Sequence, residues 1–391
     1  MMKILFVINN LNIGGAEKAL VNLLNSLDYS KYEVDLLLFK KVGHFLTEVP
    51  NEVNILPVPT NYHFFDSSIV NSLKTLNLNL IWSRYRFAQV MDKAPNPAQA
   101  EQFAWPYLSR SLAALEKEYD VAIGYLEKNP NYYVIDKVKA KKKIGFVHTD
   151  YKEMGFDVAV DYMYFDKLDA IASVSSESVF KLKEIFPKFS SKIHLVPNFT
   201  SEKAVNLKKV ETVSEFDFEF NKCNIVTVAR LESPKGIFTS IEVARKLLEL
   251  GFSFRWYVFG EGSQRSALEA LIEKYHLIDI FILAGSHSNP IKFMHVADVI
   301  VQTSVFEGKS IVLDEAKMLC KPIIVTNYPT AKDQIEHMVN GLIVGFDPEV
   351  IANEIIKLYF DKDLQEALQM RLKEDIHDAS NYINSFNRLL Q

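Results

Sequence analysis

The stretch Ser304–Ala316, SVFEGKSIVLDEA, sets two carboxylates, Glu307 and Glu315, on either side of Lys309, Ser310 and an apolar run. Eight residues of one helix would separate such a pair by about 12 Å along the axis and by about 80° around it. They could then share neither a metal ion nor a proton, whereas glycosidase and metal-site carboxylates converge. Two acids spaced in this way suit separate parts of one extended ligand, such as a nucleotide sugar. In that arrangement Glu307, in the loop, would hold the sugar. Glu315, one turn inside a helix with Ile311, Val312, Ala316 and Leu319 nearby, would accept from ribose hydroxyls. The plain alternative for Glu315 is an exposed acid on an amphipathic helix.

Cations and glycines precede this stretch. In IVTVARLESPKGIFTSIEVARKL, Arg230 ends a strand and Lys235 follows beside Gly236. Two cations at the carboxyl edge of a parallel sheet stand where ligands bind in such folds, and for a diphosphate they supply one guanidinium fork and one point charge. In VFGEGSQRSALEAL, Gly260 and Gly262 permit close approach of a nucleotide, and Ser263 is placed to cap the next helix. A third strand, loop and helix opens the chain in ILFVINNLNIGGAEKALVNLL. There Gly14 and Gly15 precede a helix whose N-terminal amides could meet a phosphate. Each motif taken singly also reads as ordinary turn chemistry or as a solvated surface cation. None is GxGxxG, so the dinucleotide fingerprint is missing and an NAD dehydrogenase is disfavoured.

The elements that must position these residues follow one grammar. Short apolar, β-branched runs (KILFVIN, EVDLLLF, DVAIGYL, KKIGFVH, AIASVS, IHLVPN) alternate with helical segments, and the second half repeats the pattern with NIVTVAR, FRWYVFG, IFILAG, DVIVQTS, KPIIVTN and GLIVGF. Runs without alternation belong to strands covered on both faces, so two parallel α/β sheets are expected. A length of 391 residues fits two domains. The polar segment 199–221 is read as the linker, giving domains at 1–200 and 220–375, with a closing helix at about 376–391 that could pack back on the first. Apolar residues make up 48% and charged residues 24%, the composition of a soluble globular chain. A formal charge of −5 gives no global reason to bind nucleic acid. Cys223 and Cys320 lack metal or disulfide spacing, and no apolar run reaches the roughly twenty residues of a membrane span. A cytoplasmic location is expected, compatible with the inner face of the membrane.

Taken together, VARLESPKG, GEGSQRSALE and FEGKSIVLDEAKMLCKPIIVTN, with NIGGAEKAL in the first half, resemble the family-4 retaining glycosyltransferases, a GT-B group that builds bacterial surface polysaccharides and glycolipids. The resemblance covers nearly the whole chain. It implies two Rossmann-like domains with parallel sheets facing a cleft. By it Arg230 and Lys235 hold the donor diphosphate, Gly15 offers an amide to it, Glu307 contacts the donor sugar and Glu315 binds the ribose. His148, in KIGFVHTDY, falls where such enzymes place a residue close to the transferred sugar, although a histidine at a strand end is also a common structural residue. The chain departs from the commoner pattern in having EGKS after the first Glu. Lys309 and Ser310 are therefore expected to influence which donor sugar fits, with their amides facing a phosphate from a helix start.

The expected reaction is retaining transfer of a hexose from a nucleotide-diphosphate sugar, with a UDP-sugar as the expected donor, to a saccharide or lipid-linked saccharide. Arg230, Lys235 and helix N-termini would carry the charge of the leaving diphosphate, so no metal and no cofactor is expected. The aromatic and basic segments 79–87 (NLIWSRYRF) and 137–143 (KVKAKKK) are compatible with an anionic membrane surface, and equally with helix packing and a solvated Lys run. The rivals are a nucleotide-sugar epimerase or hydrolase of the same architecture and a non-catalytic partner subunit of a transferase. A homo- or hetero-oligomer is compatible with the sequence.

Overall fold

The computed structural model describes residues 1–67, 77–198, 200, 202–213, 218, 221–375 and 380–390. It divides into two compact units, Met1–Phe199 with Tyr382–Gln391, and Thr200–Asn381. The expected linker falls partly outside the described residues, at 199, 201, 214–217, 219 and 220, as does the expected closing helix at 376–379 and 391.

Seven parallel strands form the sheet of the first unit: β1 (Met2–Ile8), β2 (Tyr32–Leu38), β3 (Asn54–Ile55), β4 (Glu118–Gly124), β5 (Lys139–Val147), β6 (Ala170–Ser173) and β7 (Ile193–Leu195), in the order β3-β2-β1-β4-β5-β6-β7. The long apolar runs produced every strand except β3, whose two residues are too few to leave a pattern. Ile4–Ile8 are wholly buried, because helices cover both faces of a parallel sheet. The closing helix Ser380–Leu390 packs within this unit, with Phe386 stacked on Phe6 of β1 at 6.1 Å between ring centroids.

The second unit has six parallel strands: β8 (Cys223–Val228), β9 (Phe254–Phe259), β10 (Phe281–Gly285), β11 (Val299–Gln302), β12 (Ile323–Thr326) and β13 (Leu342–Val344). Their order, β10-β9-β8-β11-β12-β13, is the doubly wound order counted from β8. The strand order reverses between β8 and β11, which pair directly through Ile225 with Val299 and Val226 with Ile300. Loops leaving the carboxyl ends of those two strands therefore share one edge, where doubly wound sheets bind ligands. One core cluster packs Trp256 and Leu247 with Ile355 on one side of the sheet, and another packs Tyr257 and Phe293 with Leu313 on the other.

Part of the segment read as a linker is structured. Residues Glu202–Lys208 form a short helix, and Val205 is buried in the second unit's core. Seven residues are too few for a helical period to stand out among charged neighbours.

Close backbone approach locks the carboxyl edge of the second sheet. A Cβ on Gly260, whose φ is +155°, would lie 1.9 Å from the carbonyl oxygen of Ala229, and one on Gly236, φ +63°, would lie 2.0 Å from that of Thr303. Replacing Gly260 by Ala imposes both a strained backbone and an overlap, and is expected to cost about 2–4 kcal/mol. Urea unfolding of Gly260→Ala should show the midpoint of the second unit's transition shifted to lower denaturant; an unshifted midpoint would show that the loops relax freely.

Candidate functional site

The loop after β8 turns through Ser233–Lys235, and Lys235 reaches the loop after β11, where its Nζ lies 2.5 Å from Glu307 Oε1. Both side chains are largely covered, at 18% and 11% exposure, yet neither is sealed off. The same oxygen accepts Gln302 Nε2 at 2.8 Å and Ser304 Oγ at 3.0 Å. Thr330 Oγ1 donates to the Glu307 carbonyl at 2.9 Å, fixing the backbone beneath the carboxylate. Arg230 is exposed on the β8 loop. Its charge adds a little to the ionisation of Glu232, whose carboxyl is held below its usual range mainly by the Ser263 amide and hydroxyl.

Helix Ile311–Met318 begins directly after this loop, so Glu307 stands outside it and Glu315 one turn inside. Glu315 is only 1% exposed. The ammonium of Lys309 is turned inward, 2.8 Å from Asp314 Oδ2, with the two side chains 6% and 10% exposed. The Ser310 amide, expected to face a phosphate, is instead taken by Gln334 Oε1 at 2.7 Å. Gln334 Nε2 closes the clamp on the Ser310 carbonyl at 2.7 Å. Ser263 likewise departs from its expected capping role: its amide and hydroxyl donate to Glu232 at 2.9 and 2.7 Å, and helix Arg265–Lys274 starts without a side-chain cap. Gly260 and Gly262 are glycines because loops pack on them; a Cβ on Gly262 would lie 2.4 Å from the Leu231 carbonyl oxygen.

In the first unit Gly15 opens helix Gly15–Leu24 after β1, and it is exposed. A Cβ there would meet nothing within 4 Å, so internal packing does not demand this glycine. His148 follows β5, with its ring centroid 5.0 Å from that of Tyr125 and 5.5 Å from that of Phe146. Its amide donates to Glu127 Oε2 at 3.1 Å, and Thr149 Oγ1 donates to Glu127 Oε1 at 3.1 Å. Burial pushes the His148 imidazole down to about 4, against the weaker pull of Glu127, the Tyr125 backbone and Asn198 toward the charged form. The ring is therefore neutral near pH 7.

Sequence reasoning missed Gln302, Ser304, Gln334 and Glu127. The signal for Gln302 was its position as the only polar residue of β11, at its carboxyl end. Glu127 showed as an acid directly after the apolar run of β4. Gln334 left no signal, since its role arises from a loop 24 positions away from Ser310. Among the described residues no group of three or more His, Cys, Asp or Glu could hold a metal ion. In the triplet Asp361-Lys362-Asp363, Asp361 joins helices Pro348–Phe360 and Lys362–Asp375, and its Oδ1 accepts the Leu364 amide at 2.9 Å, a capping role.

Residues 214–375 match the family model described as Glycosyl transferases group 1. Over 392 aligned residues, 97% of this chain and 94% of the relative, the chain is 26% identical to the GalNAc-alpha-(1->4)-GalNAc-alpha-(1->3)-diNAcBac-PP-undecaprenol alpha-1,4-N-acetyl-D-galactosaminyltransferase of Campylobacter jejuni. A stretch of 170 residues, 41% of this chain and 42% of the relative, is 34% identical to the putative colanic acid biosynthesis glycosyltransferase WcaL of Escherichia coli. Among solved structures, HepE of Anabaena in complex with UDP and glucose superposes with a TM-score of 0.72 at 16% identity, covering 100% of this chain and 99% of that one. TarM of Staphylococcus aureus, in complex with UDP among other ligands, gives 0.68 at 13% identity with both chains fully covered. These likenesses establish the GT-B fold that the sequence led us to expect.

Two buried groups of the first unit titrate in opposite senses. Asp161 is raised to about 6, chiefly by burial, although the hydroxyls of Tyr132 and Tyr151 donate to it at 2.5 and 2.6 Å. Its folded state binds the proton more tightly than the unfolded one, so it favours folding as pH falls through 6. His148 has the reverse linkage: the unfolded chain takes up a proton below about 6.5 that the native ring refuses until about 4. Stability is therefore lost over that window, by an amount approaching about 3 kcal/mol. Denaturation of His148→Gln between pH 7 and pH 4 should show a flatter acid decline than the parent; parallel declines would place the ring in contact with solvent.

Proposed function

Since this chain is a glycosyltransferase of the group 1 type with the GT-B fold, we propose that it moves a hexosyl group from a UDP-sugar to a saccharide or lipid-linked saccharide, with retention and without a metal. One observation carries the proposal. The β8 and β11 loops bring Lys235 and Glu307 together where the strand order reverses, leaving a cation and an acid side by side at a partly open edge. The name of the Campylobacter relative specifies an undecaprenol-linked acceptor, and the structures of HepE and TarM were solved with UDP.

Departure of UDP builds negative charge on the oxygen bridging it to the sugar. Arg230 and Lys235 supply positive charge for that oxygen and its phosphate, a stabilisation that grows as the bond breaks. Glu307 receives the donor sugar, and Glu315 receives the ribose. From the first unit we assign the Gly15 amide to the phosphate and His148, as a neutral ring, to the transferred sugar. The acceptor hydroxyl attacks from the face the diphosphate leaves, and its proton passes to a departing phosphate oxygen, so no carboxylate nucleophile is required.

A membrane contact fits one of the two segments considered above better than the other. Lys141 is paired with Asp120 at 2.7 Å, Lys139 lies 3.9 Å from Glu118, and the Lys143 ammonium donates to the Ile135 carbonyl at 3.1 Å, so three lysines of the run already have partners within the unit. Helix Leu78–Lys93 instead exposes Leu78, Trp82 and Tyr85 at helical spacing, with the Arg110 guanidinium over the Trp82 ring at 5.3 Å. Apolar and aromatic side chains beside cations suit an anionic lipid surface.

UDP release from UDP-glucose, UDP-N-acetylglucosamine and UDP-N-acetylgalactosamine, with a lipid-linked saccharide present, tests the chemistry. Turnover is expected to persist in EDTA and to fall roughly hundredfold or more in Arg230→Ala and Lys235→Ala with folding intact; near-parent rates in both variants would reject the assignment. For the membrane contact, the chain should float with anionic liposomes at low salt and stay behind when Trp82 and Tyr85 are both replaced by Ser. Flotation unchanged by that pair would remove the helix from the contact.

A further inference from the structure

Glu307 is not held by Lys235 alone. Gln302 and Ser304 donate to the same oxygen, and the far end of the Gln302 amide is committed too, since its Oε1 accepts Ser310 Oγ at 2.9 Å. A hydroxyl donates to one end of this amide while a carboxylate accepts from the other. Turned over, the amide would set oxygen against carboxylate, so only one orientation satisfies both neighbours. Ser310 is fixed in turn by Gln334, through its amide and its carbonyl, and Gln334 also donates to Asp314 Oδ1 at 3.0 Å. Gln302, Ser304, Ser310 and Gln334 are all buried. Hydrogen bonds linked in series at low dielectric hold one another in place.

Lys235 has two claims on it. The structure gives its ammonium to Glu307, and the proposed function gives it to the donor diphosphate. Resting on that reading of Glu307 and Lys235, we propose that Gln302 is a positioning residue, which keeps Glu307 in place when Lys235 turns to the phosphate. The sugar part of donor recognition then depends on Gln302, and the nucleotide part does not. Ser310 and Gln334 act one and two steps back, by orienting the Gln302 amide.

The test compares UDP with UDP-glucose, UDP-N-acetylglucosamine and UDP-N-acetylgalactosamine on the full chain, by calorimetry and by UDP release. Gln302→Leu, close to the parent in size, is expected to bind UDP as the parent does and to lose roughly ten- to hundredfold in turnover of the UDP-sugar, the scale of one lost hydrogen bond to a charged group. Ser310→Ala should lose less, in the same direction. Gln302→Glu sets a second carboxylate against Glu307, which raises the proton affinity of the pair, so the acid limb of kcat/KM should move to higher pH. Equal losses for UDP and UDP-sugar, or an unmoved acid limb, would reduce Gln302 to ordinary packing and overturn the inference. Glu307→Gln separates the two levels. If it retains turnover, the role of Glu307 falls and the inference with it; if it loses turnover while Gln302→Leu does not, only the inference falls.

Discussion

The ion pair between Lys235 and Glu307 is the constraint around which the carboxyl edge of the second unit's sheet is arranged. Taking an ammonium and a carboxylate out of water costs several kcal/mol per ion, and their attraction offsets this only when further hydrogen bonds satisfy the remaining capacity. Gln302 and Ser304 supply those bonds to the acid. The pair is also incompletely covered, so water or a ligand can still reach it. A pair sealed in the core would add rigidity without chemistry, and one on the open surface would be screened and mobile. This one lies between those limits, as the proposed turn of Lys235 from Glu307 to a phosphate requires.

Its geometry depends on main-chain packing more than on the side chains themselves. Gly236, directly after Lys235, lies against the Thr303 carbonyl, and Thr303 Oγ1 donates to the Gly236 carbonyl at 2.9 Å. Gly260 brings the β9 loop against β8 in the same way. Three consecutive positions across the sheet, β9, β8 and β11, are therefore locked edge to edge, and the Lys235 and Glu307 side chains inherit that rigidity. The first unit differs. Gly15 has open space where its side chain would be, and what its strand edges gather instead is the cluster of buried Glu127 and His148 with half-buried Thr149.

Strands and sheet direction were legible because a parallel strand covered on both faces must be apolar throughout, and β1, β8 and β11 carry that signature in a few residues each. Residue types at strand ends were legible for the same reason: after an apolar run a charge such as Arg230, Lys235 or Glu307 stands out. What could not be read were the partners that long-range packing assigns. Nothing local says that Gln334 will take the Ser310 amide, or that Lys309 will turn from the ligand edge toward Asp314. The glycines of GEG were read as making room for a nucleotide, whereas the room is filled by the β8 loop. A glycine signals close approach, and sequence alone does not say of what.

The two lysines around Glu307 show why such partners matter. Lys309, two residues after the loop's acid, forms the more deeply buried pair with Asp314 and so ties the start of helix Ile311–Met318 to its own first turn. Lys235, 72 positions away from Glu307, forms the more accessible pair. A chain that exposed both would present a donor with two competing cations and a loop free to follow either. Committing Lys309 to Asp314, and Gln334 to Ser310, leaves a stiff loop with one acid facing one cation. Positioning energy is then spent during folding, before a donor arrives, and binding energy remains for the transition state.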